Sequence, residues 1–173
     1  MTNGDTKRRM PERLNLGMLR QYTMGQPMHH RDKREERGEE EAYGRRVVMG
    51  HALPTWQRPL VWSEDQMISF IESAWRGLNL GTYSLNQLLD GSALDNLLID
   101  GQQRMYAIER YLFDRFPVFG WRWSQVTETD RRIWEQTVSF GCYVTQSDDE
   151  DYLRSYYNLL NFGGTAHLES ERA

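Results

Sequence analysis

The sequence is poor in cysteine, lysine and long apolar runs, and each shortage excludes a class of protein. Its one cysteine, Cys142, can form neither an internal disulfide nor a thiolate metal cluster. No apolar run approaches the roughly 18 residues that a membrane-spanning helix needs. The opening residues MTNGDTKRRM also lack the apolar stretch typical of a signal peptide. We therefore expect a cytoplasmic protein that does not enter a membrane.

The charge is small on average and uneven along the chain. A net charge of −4 does not suggest a protein that coats nucleic acid by bulk electrostatics. Residues 1–46 carry a net charge of +3, and residues 47–173 carry −7. The first part includes the charged run HHRDKREERGEEE and has no sustained apolar period. We predict that residues 1–46 form a charged, poorly packed arm, with at most a short helix over residues 11–22, and that residues 47–173 form one domain.

Apolar spacing beyond residue 46 predicts a small α+β domain with a mixed sheet and about four helices. A capping box at Ser63 and Gln66 opens the first helix, which ends near Gly77. Similar signals predict helices over residues 102–116, 127–136 and 148–160, and strands over residues 47–53, 80–88, 96–99 and 137–144. Cys142 falls on the apolar face of the last strand, so we expect it in the core.

The sharpest local feature is a strand followed by Asp100, Gly101, Gln102, Gln103 and Arg104 at the start of a helix. Free N–H groups and the macrodipole of a helix N-terminus attract an anion, and arginine adds a bidentate contact. The second glycine and the Lys-Ser/Thr pair of a P-loop are missing, which excludes a Walker-type ATPase. The motif indicates a phosphate site. In the alternative, Asp100 caps the helix and Arg104 pairs with a surface acid.

A second segment, residues 53–63, contains two prolines and two tryptophans and presents Gln57 and Arg58. Two neighbouring buried arginines repel each other unless an anion lies between them, so a meeting of Arg58 with Arg104 would imply a phosphate, nucleotide or carboxylate ligand. In the alternative, Arg58 is a solvated turn residue between tryptophans that anchor the core. The histidines lack zinc-site spacing, and we expect no zinc, flavin or haem.

Three segments in this order, LPTWQRPLVWS, DGQQR and NFGG, resemble the N-terminal domain of GmrSD-type modification-dependent restriction enzymes and their BrxU relatives. The resemblance covers residues 53–171. That family belongs to the ParB/sulfiredoxin-like superfamily, so the resemblance implies a small α+β fold with DGQQR at a strand-to-helix turn. ParB proteins bind CTP with a related G-x-x-R-x-x-A segment, and Gly101, Arg104 and Ala107 keep its spacing. Sulfiredoxin chemistry is not implied, because it needs a cysteine in this turn.

The resemblance implies one pocket, lined by Gln57, Arg58, Asp100, Gly101, Gln102, Gln103, Arg104, Asn161 and Gly164. The leading hypothesis is a stand-alone domain that binds a nucleoside triphosphate with Mg2+. In it Arg58 and Arg104 hold phosphates, Gln103 positions a water, and Asp100 binds the metal or caps the turn. Hydrolysis is a weaker expectation than binding, because Gln102 stands where ParB proteins have an acid after the glycine.

Two alternatives remain open at this point. The same pocket could serve a metal-dependent DNA nuclease, with the arm supplying affinity for DNA. The chain could instead be a non-catalytic phage or mobile-element protein whose arm folds on a protein partner. Nothing after Leu168 could encode the HNH-like nuclease domain of GmrSD enzymes, so we expect no cleavage by that route.

Overall fold

A six-stranded mixed sheet forms the centre of the computed structural model, which describes residues 14–36 and 45–162. Its strands are β1 (Met18–Thr23), β2 (Val47–Val48), β3 (His51–Ala52), β4 (Thr82–Asn86), β5 (Leu97–Asp100) and β6 (Ser139–Thr145). They lie in the order β1-β6-β4-β5-β3-β2. The β6/β4 and β3/β5 pairs are parallel and the other three are antiparallel.

Five α-helices accompany the sheet: α1 (Gly25–Glu36), α2 (Glu64–Trp75), α3 (Gln102–Leu112), α4 (Glu128–Thr137) and α5 (Glu150–Phe162). The capping box is confirmed, because the Ser63 hydroxyl accepts from the Gln66 N–H and the Gln66 side chain accepts from the Ser63 N–H. Thr127 caps α4 in the same way, by accepting from the Asp130 N–H. The mixed sheet and its five helices confirm the predicted α+β class.

The expectation of a poorly packed arm is wrong for residues 18–36, which form β1 and α1. Strand β1 pairs with β6 along its whole length. At the start of α1, Met24 is fully buried and Met28 nearly so. The sequence did not predict β1, because it is an edge strand with almost every side chain exposed. Its apolar residues therefore do not alternate with polar ones. Residues 1–13 and 37–44 of the predicted arm lie outside the described residues.

Two apolar clusters cover the two faces of the sheet. Side chains along β5 alternate between them, since Leu98 belongs to the larger cluster and Leu97 and Ile99 to the smaller one. The larger cluster includes buried residues of α2, α3 and α4, and it contains Cys142, which confirms the predicted core position. The smaller cluster joins β5 to α5. Among the described helices, none has both the length and the apolar character required to span a bilayer.

Candidate functional site

A glycine turn carries the chain from β5 into α3, as the sequence predicted. Gly101 has φ +92°, a left-handed conformation that favours glycine. A Cβ atom at this position would lie 2.6 Å from the Cβ of Tyr83 on β4. The residue between Asp100 and Gln102 must therefore lack a side chain, and the turn lies directly against the neighbouring strand.

The first turn of α3 has no side-chain cap and no acidic residue. By contrast, Ser63 caps α2 and Thr127 caps α4, and both helices have acids in the first turn. The first N–H groups of a helix have no intrahelical partner, and the macrodipole makes this end positive. The start of α3 is therefore suited to an anion. Asp100 does not cap the helix, in contrast to the alternative drawn from the sequence, because its carboxylate pairs with Arg104 instead.

A cleft of about 380 Å³ lies at this helix start. The predicted site residues that line it are Arg58, Asp100, Gly101, Gln102, Gln103, Arg104 and Asn161. The structure thus brings together three segments that are far apart in the chain. Of the other two predicted residues, Gln57 is buried beside the cleft without lining it, and Gly164 lies outside the described residues.

Gln57 fastens the segment before α2 to the central sheet. Its side-chain amide donates to the carbonyl oxygens of Leu98 and Ile99, at 2.6 and 2.7 Å. The Gln57 side chain is buried, so these bonds replace water for the carbonyls of two consecutive β5 residues. They hold the neighbouring residue, Arg58, over the end of the strand.

Gln102 and Gln103 hold the same segment from the side of α3. The Gln102 amide donates to the carbonyl of Arg58 at 2.9 Å, and the Gln103 amide donates to that of Pro59 at 3.1 Å. The Gln103 side-chain oxygen accepts from the N–H groups of Val61 and Trp62, each at 3.1 Å. Both lone pairs of that oxygen are used within the protein. The predicted role of Gln103 in positioning a water thus competes with its role in holding this loop.

The two arginines of the cleft differ in how they are held. Arg104 donates to the Asp100 carboxylate at 2.9 Å, and its guanidinium lies 6.0 Å from the centre of the Phe140 ring. The exposed Arg58 side chain makes no hydrogen bond or ion pair with the described residues. Two positive charges beside one carboxylate leave the cleft with a net positive charge, which favours an anionic ligand.

Among the described residues that line the cleft, one carboxylate, that of Asp100, is offered to a cation. One of its oxygens accepts from Arg104, and the other accepts a long contact of 3.4 Å from the Asn161 amide. Magnesium takes oxygen ligands and is commonly bound by one or two carboxylates together with phosphates and water. Asp100 therefore fits as one ligand of an ion brought by phosphates. The described residues contain no group of three or more His, Cys, Asp or Glu side chains placed to hold a metal.

Four cleft residues were missing from the predicted site: Trp62, Thr82, Tyr157 and Leu160. Trp62 could have been predicted as a site residue, since it stands in the tryptophan-containing segment that resembles the family. Thr82 could not, because β4 reaches the cleft only through its pairing with β5. Below the cleft, the Tyr156 hydroxyl contacts that of Ser84 at 2.8 Å, and burial raises the pKa of Tyr156 to about 12.

The fold and the cleft define a class of protein: a small α+β domain with a cleft at a strand–turn–helix junction. The model of the GmrSD restriction endonuclease N-terminal domain matches residues 42–170, and the chain belongs to this family. This confirms the resemblance read from the three motifs and connects the chain with DNA restriction and phage defence. Comparison with curated proteins and with solved structures returned no match.

Proposed function

We propose that the cleft binds a nucleoside triphosphate through its phosphates. The observation that carries the proposal is the uncapped start of α3, which opens into a cleft lined by Arg58 and Arg104. The backbone N–H groups at this turn would bind one phosphate, as they do at many helix N-termini. The family connection with DNA restriction makes a nucleotide a more fitting anion than a small metabolite.

The two arginines would act differently. Arg104 is held by its ion pair with Asp100, so its guanidinium is already positioned before the ligand arrives. Arg58 is free to swing onto a phosphate, where a charge-assisted, bidentate contact would form. We therefore expect Arg58 to contribute most to affinity, since binding costs it no existing bond. Mg2+, when bound with the phosphates at Asp100, would neutralise part of their charge.

Isothermal calorimetry with ATP, GTP, CTP, UTP and inorganic tripolyphosphate, each with Mg2+, tests the proposal. We expect Arg58→Ala to weaken binding about 10- to 150-fold, the equivalent of about 1.5–3 kcal/mol for hydrogen bonds to charged groups. Arg115→Ala is the matched control. Arg115 is also exposed and follows the other end of α3, which by helical rise lies about 16 Å away. Failure of the folded wild type to bind any of these ligands would refute the proposal.

Hydrolysis is a separate step of the proposal and rests on Asp100. Arg104 and Asn161 orient this carboxylate toward the cleft. Replacement by asparagine keeps its shape and removes its charge. We expect Asp100→Asn to abolish Mg2+-dependent phosphate release. Phosphate release at the wild-type rate would exclude Asp100 from hydrolysis and leave binding untouched.

The family connection with restriction also supports a second candidate, a metal-dependent DNA nuclease that uses the same cleft. Nicking of supercoiled plasmid by the wild type, lost in Asp100→Asn and insensitive to added nucleoside triphosphate, would favour it. Absence of nicking with Mg2+ or Mn2+ would exclude it.

A further inference from the structure

A second cavity, of about 440 Å³, adjoins the cleft at the same end of the sheet. It is lined in part by Gln21, Asn79, Gly81, Ser139 and Gly141. Thr82 lines both this cavity and the cleft, so the two spaces meet at this β4 residue. A ligand that extends beyond the cleft at this side would enter the second cavity.

The strand register explains why the two spaces adjoin. Asp100 of β5 lies opposite Ser84 of β4, and Thr82 of β4 lies opposite Gly141 of β6. Gly141 in turn lies opposite Gln21 of β1. Thr82, Gly141 and Gln21 therefore form one row across β4, β6 and β1, and Asp100 of β5 lies opposite a β4 position two residues farther along. With neighbouring strands about 4.8 Å apart, the four strands from β5 to β1 span about 14 Å across the sheet, a distance that an extended nucleoside triphosphate can cover.

Two glycines keep this row open. A Cβ at Gly81, where φ is +76°, would lie 2.8 Å from Nη1 of Arg104. A Cβ at Gly141 would lie 3.1 Å from Cγ2 of Thr82 and 3.3 Å from Nε2 of Gln21. Because Nη2 of Arg104 bonds Asp100 while Nη1 faces Gly81, the Arg104 guanidinium lies at the junction of the two spaces.

The two spaces differ sharply in charge. The cleft contains Arg58, Asp100 and Arg104, whereas none of the described residues that line the second cavity is charged. The Asn79 side-chain oxygen accepts from the Gly81 N–H at 2.8 Å, and that of Gln21 accepts from the Ser139 hydroxyl at 3.3 Å. The NH2 groups of both amides make no bond with the described residues and remain available as donors.

We propose that the second cavity holds the nucleoside part of the ligand whose phosphates lie in the cleft, an inference that rests on the proposed function. The charged end of such a ligand matches the arginines. Its uncharged sugar and base match a polar, uncharged cavity. The amide donors of Gln21 and Asn79 would face carbonyl oxygens or ring nitrogens of the base.

The test compares nucleoside triphosphates with inorganic tripolyphosphate, which has the phosphates without the nucleoside. We expect at least one nucleoside triphosphate to bind the wild type more than about tenfold tighter than tripolyphosphate. Gln21→Met, which keeps the length of the side chain and removes its amide, should weaken nucleotide binding about two- to tenfold, the range of one neutral hydrogen bond. It should leave tripolyphosphate binding unchanged.

Gln146→Met is the matched control, because Gln146 is also exposed and lines neither space. Ser139→Trp is a second variant, in which an exposed strand position receives a side chain that fills the cavity. It should block nucleotide binding and spare tripolyphosphate. Circular dichroism and urea unfolding verify that each variant is folded.

The outcomes separate this inference from the proposed function. Equal binding of tripolyphosphate and every nucleoside triphosphate would overturn the nucleoside site and leave the phosphate site standing. The same would follow if folded Ser139→Trp bound nucleotides like the wild type. Absence of binding by any of these ligands would overturn both.

Discussion

Replacement of Gly101 by alanine probes the turn on which the whole site depends. Gly101 has φ +92°, and a Cβ there would lie 2.6 Å from Cβ and 3.2 Å from Cα of Tyr83. Tyr83 is 2% exposed and its ring packs against that of Phe140 at a centroid distance of 4.7 Å. Because the clash involves the backbone and first side-chain atom of a buried central strand, no rotation of the tyrosine ring can relieve it.

The expected loss has two components. A left-handed conformation costs a residue with a side chain about 1–2 kcal/mol. Overpacking at a buried site typically costs about a further 1–3 kcal/mol. We therefore expect Gly101→Ala to lower the free energy of unfolding by about 2–5 kcal/mol, a large share of the 5–15 kcal/mol that is typical of a domain.

Urea unfolding followed by tryptophan fluorescence measures this loss. Gly77→Ala is the control, because Gly77 has a similar φ of +73° but nothing within 4 Å of its hypothetical Cβ. It should lose only the conformational part, about 1–2 kcal/mol. If the two variants lost the same free energy, the close approach of the turn to Tyr83 would be refuted.

Two further predictions concern buried polar groups. Gln57→Leu removes the donors to the Leu98 and Ile99 carbonyls and should cost about 1–3 kcal/mol for each one left unsatisfied, measured by urea unfolding; a change below about 0.5 kcal/mol would contradict this. Burial raises the pKa of Cys142 from 9.0 to about 12 and that of Tyr156 from 10.0 to about 12. Because the folded state retains these protons more tightly, their contribution to stability is complete below pH 9 and is lost as the pH rises toward 12. Between pH 8 and pH 11, the free energy of unfolding should fall less in Cys142→Ala than in the wild type. Equal falls would contradict the raised pKa of Cys142.

Local signals in the sequence were sufficient for the helices beyond residue 46. The cap residues Ser63 and Thr127 mark helix starts by bonds made within one turn, so their chemistry is visible without knowledge of the fold. The glycine between β5 and α3 also has a local signal, since its left-handed φ of +92° belongs to the turn itself. Features decided by neighbours a few positions away are legible in a single sequence.

Pairing between distant segments was not visible. β1 has little apolar pattern of its own, and its place beside β6 depends on a partner more than a hundred positions away. Residues 47–53 were predicted as one extended strand, but they form a hairpin with a turn at Met49 and Gly50. Gly50 has φ +77° and could have indicated a turn, whereas Met49, with φ +50°, gave no such signal.

In the candidate site, too, some features could be predicted from the sequence and others could not. The motifs identified residues that the fold brings together, but not the contacts that their side chains make. The side chains of Gln57, Gln102 and Gln103 all bond the backbone of other segments. An amide motif read as ligand-binding is thus largely a clamp for the loop that carries Arg58.

The pairing of β1 with β6 has a consequence for synthesis on the ribosome. Gln21 of β1 and Ser139 of β6, whose side chains share a hydrogen bond, are 118 positions apart. During translation β1 emerges early, yet it has no partner until β6 has left the exit tunnel. β6 also lies between β1 and β4, so the sheet cannot close before that moment. We therefore expect that, in a nascent chain that lacks β6, neither β1 nor the Gln21 side of the second cavity is held in place. We also expect the completion of the sheet to be slow for a domain of this size.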